Sequence, residues 1–363
     1  MRLLFSCTPD IISNTQTNNS TSPVLASKSF SKILVIRRDN IGDLLCTTPL
    51  ISVLREHYPH AHIAVLANSY NASVLANNPD IDTIYQYTKA KHSNKIKLST
   101  WWREWQLYRK LKRARFDLIL HANPTPHPRT GKLAKYLKAP QRIGVANGPN
   151  EGFNVIISPQ EVSGKHHVEQ VYSLLAPLGI DTPPGPMTLC IFPQEQQPSL
   201  EHPLVGIHIS SRRPDNRWPL ASFTKLIENL QAYRVRCALF WAYGEENDPR
   251  YPGDNHLAQQ LIERFGKEIA PFPMATLDDL MTGLSQVDAI VTPDGGVLHI
   301  ASALSKPVTA LFGCTDSNVW GPWQVPHHTV HGHGQAKNIS VDDVTNATLE
   351  LLSTNYPEIN KRI

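Results

Sequence analysis

No apolar run in this 363-residue chain approaches the ~20 residues a transmembrane helix needs, which excludes a helical membrane span. Cysteine is sparse. The five cysteines, Cys7, Cys46, Cys190, Cys237 and Cys314, lie far apart with no Cys-x-x-Cys pair. That spacing excludes a zinc ribbon or a disulfide scaffold and fits reduced thiols in a cytoplasmic protein. Glycine is thin where nucleotide fingerprints need it. The turn Arg37 to Asp43 has one glycine instead of Gly-x-Gly-x-x-Gly, which counts against a nicotinamide-dependent oxidoreductase. Thr130-Gly-Lys132 lacks the earlier glycine and the following Ser/Thr of a P-loop. The first 30 residues, rich in Ser, Thr and Asn, lack the continuous apolar core of a signal peptide. They read as a mobile tail, or as a start site placed too early.

What is present is a globular chain, 41% hydrophobic, of a length that suits two domains. Residues 31–180 alternate strand and helix patterns: Ile33–Ile36, a helix from Leu44 to Leu54, Ile63–Leu66 and Leu118–Leu120. Residues 181–203 are crowded with proline and read as a linker. A second alternating set fills 204–340, with strands at Val205–Ile209 and Cys237–Trp241 and helices at Phe223–Leu230 and Leu257–Phe265. Residues 341–363 hold a last helix, about Val341 to Leu352. Alternation in two halves predicts an α/β protein with two doubly wound sheets facing each other.

Charge is distributed unevenly. Between Lys89 and Arg142 stand 15 Lys/Arg against two acids, Glu104 and Asp117, so the rest of a chain of net charge +4 is acidic. Trp101, Trp102, Trp105 and Tyr108 interleave with these cations. The combination suits an anionic membrane surface, and a solvated helix face with core-facing tryptophans is the competing reading. No nucleic-acid module accompanies the charge, so no nucleic-acid partner is expected. His327, His328, His331 and His333 cluster in a Pro/Gly-rich stretch without acids or cysteines, and no metal is expected there.

Two turns carry the chemistry. Ala289 to Val291 ends an apolar strand; Pro293, Asp294, Gly295 and Gly296 break it, and Val297, Leu298, Ala301 and Leu304 continue at helical spacing. A helix entered through two glycines offers unpaired N–H groups and a positive dipole end, a natural phosphate site. Asp294 and His299 flank it. The other turn follows Ile33–Ile36 and carries Gly42 and Asp43. Asp43 sits on a loop at the carboxyl end of a strand, where open sheets place their ligands.

These two turns resemble glycosyltransferase family 9, the ADP-heptose:lipopolysaccharide heptosyltransferase family. Gly42-Asp43 follows the first strand, and Asp294-Gly-Gly-x-x-His299 is followed by Leu311-Phe-Gly313. Gly206-Ile-His208 precedes Arg217-Trp218-Pro219, and Trp320-Gly-Pro322 closes the set. The resemblance runs in order and spacing from about Ser31 to the C-terminal helix. It implies a GT-B fold, with the acceptor in the first domain, the nucleotide-sugar in the second and the active site in the cleft between. By the same analogy the last helix would pack back across the domain gap. Implied too are inverting transfer without a metal or other cofactor and a heptose donor, ADP-heptose. The implied acceptor is lipopolysaccharide core or a lipid A precursor, expected to be met at the cytoplasmic face of the inner membrane.

The implied roles fall on particular residues. The family's matching aspartate is the proposed catalytic base, so Asp43 takes that role; capping of the following helix is the competing one. Gly295 and Gly296 would hold the diphosphate through N–H groups, with His299 as a further donor or, alternatively, a satisfied core histidine. Asp294 would meet the sugar or orient its loop. Glu245 and Glu246, where the family has a glycine-to-glutamate element, would accept from the ribose diol, Glu246 being preferred. Where the family carries lysine this chain has Asn216. Arg212, Arg213 and Arg217 are expected to restore the phosphate charge beside it. A different nucleotide-sugar, or a non-catalytic sugar-nucleotide or glycolipid binding protein, are the alternatives.

Overall fold

Two all-parallel, six-stranded sheets organise the chain, described in this computed structural model for residues 25–88, 98–148, 151–191, 202–248 and 252–359. The first domain runs β1 (Lys32–Ile36), α1 (Ile41–Leu45), α2 (Thr48–His57), β2 (His62–Asn68), β3 (Thr83–Tyr87), α3 (Leu98–Ala114), β4 (Leu118–His121), α4 (Pro128–Leu137), β5 (Gln141–Val145), β6 (Val155–Ile157), α5 (Pro159–Val162) and α6 (His167–Tyr172). The second runs β7 (Leu204–His208), α7 (Leu220–Ala232), β8 (Arg236–Ala242), α8 (Asn255–Phe265), β9 (Ile269–Met274), α9 (Leu277–Ser285), β10 (Ala289–Pro293), α10 (Gly296–Ala303), β11 (Val308–Phe312), α11 (Ser317–Trp320), β12 (His327–His331) and α12 (Val341–Ser353).

Strand order is β3-β2-β1-β4-β5-β6 in the first sheet and β12-β11-β10-β7-β8-β9 in the second. Counted within its own half, each sheet has the doubly wound 3-2-1-4-5-6 order. Its switch points lie between β1 and β4 and between β7 and β10, and ligands bind at the carboxyl ends there. The four loops at those ends are the ones that matter. Central strands are apolar throughout because helices cover both faces; Ile33 to Ile36 and Ala289 to Val291 are wholly buried. Each such large aliphatic side chain contributes roughly 1.5–3 kcal/mol by leaving water. One hydrophobic cluster joins the domains, holding Leu44 and Leu45 of α1 together with Val297 and Leu298 of α10.

Several expectations need correction. Residues 25–30 are not a tail: Leu25 and Phe30 are buried, and Phe30 packs edge-on against Tyr58. The remainder of that segment, residues 1–24, lies outside the described residues. The helix expected from Leu44 to Leu54 is two helices, because Pro49 has no N–H to donate and suits the first turn of α2. The last helix does not cross back. Val344, Leu349 and Leu352 of α12 share a cluster with Phe223, Leu226 and Leu230 of α7, so it packs on its own domain. Of the histidine-rich stretch, His327, His328 and His331 lie on β12, an edge strand of the second sheet, and His333 lies in the turn after it.

Candidate active site

Asp43 is the third residue of α1 and is nearly buried, 8% exposed. Its Oδ2 accepts from the Asn40 backbone N–H at 2.9 Å and from Asn40 Nδ2 at 3.0 Å, an N-terminal bracket for the short helix. Its Oδ1 accepts from Arg37 Nη2 at 2.5 Å, and His167 Nε2 stands 3.3 Å away. Arg37 is itself buried. It also donates to the Ala122 carbonyl at the end of β4, lies 2.8 Å from His167 Nε2 and approaches Asp39 at 3.5 Å. Burial opposes ionisation of Asp43, but His167, Arg37 and the Asn40 N–H outweigh it and hold the carboxyl well below the usual carboxylate range. The cap that competes with the catalytic role is therefore real, and it uses one carboxylate oxygen. The other faces charge.

The second domain meets this loop directly. His299 of α10 packs on Gly42 so closely that a Cβ there would lie 2.4 Å from His299 Cδ2, which explains the glycine. His299 Nδ1 is 3.8 Å from Cys46 Sγ, and its ring lies edge-on to Trp320. Burial pushes the imidazole down to about 3, so it is neutral. His167 stacks on Trp320 with centroids 4.1 Å apart, and His166 stacks on Trp323 at 4.5 Å. Across the opening, Arg212 Nη2 donates to the Tyr70 hydroxyl at 3.2 Å.

Loops of the second sheet are clamped by Asn216, which is fully buried. Its Oδ1 accepts from the backbone N–H groups of Gly313 and Cys314, both at 3.2 Å. Its Nδ2 donates to Asp294 Oδ2 at 3.1 Å and Thr315 Oγ1 at 3.0 Å. Both ends of the amide are occupied, so Asn216 holds the loops after β10 and β11 together and is not itself a donor contact. Burial raises the Asp294 carboxyl, against the opposing effects of Thr315, Arg213 and Asn216. Arg212, Arg213 and Arg217 are exposed beside this bracket, Arg217 spending its Nε on the Ser211 carbonyl.

Gly295 precedes α10 with no side chain capping the helix, and a Cβ on Gly295 would meet open space. Four first-turn N–H groups at a positive dipole end are what a diphosphate requires. Glu245 and Glu246 lie on the exposed loop after β8, at the same carboxyl edge; Glu246 is 3.6 Å from His256. Among the described residues no group of three His, Cys, Asp or Glu is arranged to hold a metal ion. His328 pairs with Glu350 at 3.3 Å, and His331 stacks on Phe312. An Asp-x-Asp spacing occurs at Asp80-Ile81-Asp82. These carboxylates accept from Ser52, Arg55 and the Ile63 N–H at the edge of the sheet away from the cleft.

Arg37, His166, His167 and Trp323 were not singled out from the sequence. Trp320 was noted only as part of a motif. Nothing in local spacing marks Arg37 and His167 as partners, since 130 residues separate them.

Two facing doubly wound domains, with their switch-point loops meeting across a cleft, define a GT-B architecture. The structural neighbours agree: a glycosyl transferase family 9 protein from Veillonella parvula has a TM-score of 0.76 at 20% identity, covering 91% of this chain and 99% of that one. E. coli heptosyltransferase WaaC with ADP gives 0.73 at 17% identity, covering 88% and 99%. The model of glycosyltransferase family 9 (heptosyltransferase) matches residues 104–347, and the chain belongs to that family. It is a glycosyltransferase. Among curated relatives, lipopolysaccharide heptosyltransferase 3 of E. coli is 28% identical over 302 residues, 78% of this chain and 83% of that protein. Lipooligosaccharide heptosyltransferase 2 of Haemophilus influenzae is 24% identical over 312 residues, 80% and 85%.

Proposed function

We propose that this protein moves a heptose from ADP-heptose onto the lipopolysaccharide core, with inversion and without a metal ion. The observation that carries the reading is the contact of the Asp43 loop with α10 across the domain seam: Gly42 lies under His299, Gly296 faces Ile41, and no side chain caps the N-terminus of α10. One side supplies a base for the acceptor hydroxyl and the other an anion site for the departing diphosphate. The names of the relatives supply the sugar and the acceptor. In this reading Asp43 accepts the hydroxyl proton as that oxygen bonds to the anomeric carbon. The bond to the diphosphate breaks, and its electron pair leaves with the phosphate. Gly295 and Gly296 hold the diphosphate through N–H groups. His299, neutral, adds one N–H, and Arg213 adds charge nearby. Asp294 orients the loop, and Glu245 or Glu246 receives the ribose diol.

Thermal-shift titration with ADP, UDP, GDP and CMP tests the nucleotide. ADP should raise the melting temperature most. A clear preference for another nucleotide would point to a different donor within the same family. Binding without turnover, unaffected by loss of Asp43, would favour a non-catalytic sugar-nucleotide or glycolipid binding protein.

The acceptor is a membrane glycolipid, so the site works at the cytoplasmic face of the inner membrane. No helix among the described residues is long and apolar enough to span a bilayer. The contact is assigned to α3 on its own features: Trp102 and Trp105 are exposed at 60% and 45%, and Arg109 stacks on Trp105 at 4.3 Å. Lys89 to Lys97, and the side chain of Trp101, lie outside what is described.

A further inference from the structure

Asp43 does not face its surroundings alone. Arg37 and Asp39 from the loop after β1, Cys46 at the end of α1, His166 and His167 at the start of α6, and His299 of α10 surround it. Of these, His167 makes a polar contact with the Asp43 carboxylate and also stacks on the second domain. Its Nε2 lies 2.8 Å from Arg37 Nη2 and 3.3 Å from Asp43 Oδ1. As an acceptor it holds the guanidinium in place; as a donor it holds the carboxylate. In either state it orients the same ion pair. The ring's flat face is pressed against Trp320, at 4.1 Å and an interplanar angle of 22°.

Trp320 is fixed in turn by donor-domain structure. Asp316 caps α11 through the Asn318 N–H. The chain just before that cap, Gly313 to Thr315, is what Asn216 clamps. The neighbouring pair repeats the arrangement, with His166 stacked on Trp323 and its Nε2 3.0 Å from the Gly321 carbonyl. A continuous chain of contacts thus runs from the loops after β10 and β11 to the carboxylate of the first domain.

We propose that His167 is a positioning residue for Asp43, held in register by its stack on Trp320, so that the base is set when the β11–α11 segment of the donor domain is seated. The inference rests on the reading of Asp43 as the base. A packing role alone would predict a loss of stability with no selective effect on the chemical step.

The test uses the full chain and the variants His167→Ala, His167→Gln, Trp320→Leu and Trp320→Phe. Gln keeps a polar atom near the Nε2 position, and Phe keeps a flat face. With ADP-heptose and acceptor, His167→Ala and Trp320→Leu should lower kcat by about 10²-fold, the scale of a misplaced catalytic group, while ADP affinity stays as in the wild type. The two conservative variants should recover most of the rate. A donor-free measurement accompanies this: the carboxyl 13C resonance of Asp43, identified by its loss in Asp43→Asn and followed on acidification. It should titrate at higher pH in His167→Ala than in the wild type. An unchanged Asp43 titration in His167→Ala overturns the proposal, as does equal loss in His167→Ala and His167→Gln with a lowered melting temperature. Failure of the wild type to use ADP-heptose would instead overturn the reading of the sugar, since the Asp43 titration needs no donor.

Discussion

Asp43 carries two roles on one carboxylate, and substitution separates them. Asp43→Asn keeps an acceptor for the Asn40 N–H but removes basicity, so transfer should fall by ~10²–10⁴-fold with little change in melting temperature. Retained activity would assign Asp43 to capping alone. Gly42 makes a sharper steric prediction. Its backbone lies under the His299 ring, where an added Cβ comes within 2.4 Å. Overpacking of this kind costs about 1–3 kcal/mol. Gly42→Ala should therefore lower stability in a urea titration, and a double variant with His299→Ala should recover much of the loss. If Gly42→Ala alone is as stable as the wild type, the seam yields more readily than its packing implies.

Among the elements, α3 has an exposed face that the fold does not explain. Leu107 and Leu111 are buried in the first domain, while Trp102, Trp105 and Arg109 point to solvent. An indole leaves water favourably at a headgroup layer, and each nearby cation contributes about 1 kcal/mol at an anionic surface. Vesicles with anionic lipid should bind the protein, and binding should fall as salt shortens the Debye length from ~10 Å at 0.1 M to ~3 Å at 1 M. Trp102→Ala with Trp105→Ala should weaken it further at constant salt. Equal binding to neutral and anionic vesicles would remove the assignment.

For the whole molecule, buried histidines set a common dependence on pH, and three of them are shifted far. Burial holds His121, His208 and His299 down to about 3 in the folded chain, against about 6.5 when unfolded. Between these values the unfolded chain binds more protons, so stability increases with pH across that window and is lost as pH falls below about 6.5. Each histidine contributes up to about 1.4 kcal/mol per pH unit. Asp43, whose carboxyl is held low, adds a loss of the same sign only below the ordinary carboxylate range. Denaturant midpoints measured from pH 8 to pH 5 should fall below pH 6.5, and His208→Asn should flatten the slope. A midpoint constant over that range would mean the histidines are hydrated in solution.

Local chemistry alone determined much of this protein. Apolar runs such as Ile33–Ile36 and Val308–Phe312 must be covered on both faces, and their alternation with helical spacing leads to two parallel sheets. Gly295-Gly296 before Val297 marks a helix entrance, and Pro49 marks another that the periodicity at Leu44 to Leu54 concealed. Other features depended on which segments meet. Asn216 reads as a neutral substitute for a phosphate contact, yet the fold turns it inward to join two loops. α12 has an apolar face that does not state its partner, and packing against α7 chose it. Arg37, His167 and Trp320 come from three distant stretches and touch only because both switch points face one cleft. Backbone propensity and burial act within a turn or a strand, so sequence conveys them. Contacts between distant side chains exist only after the chain has closed, and those contacts set the charge on Asp43.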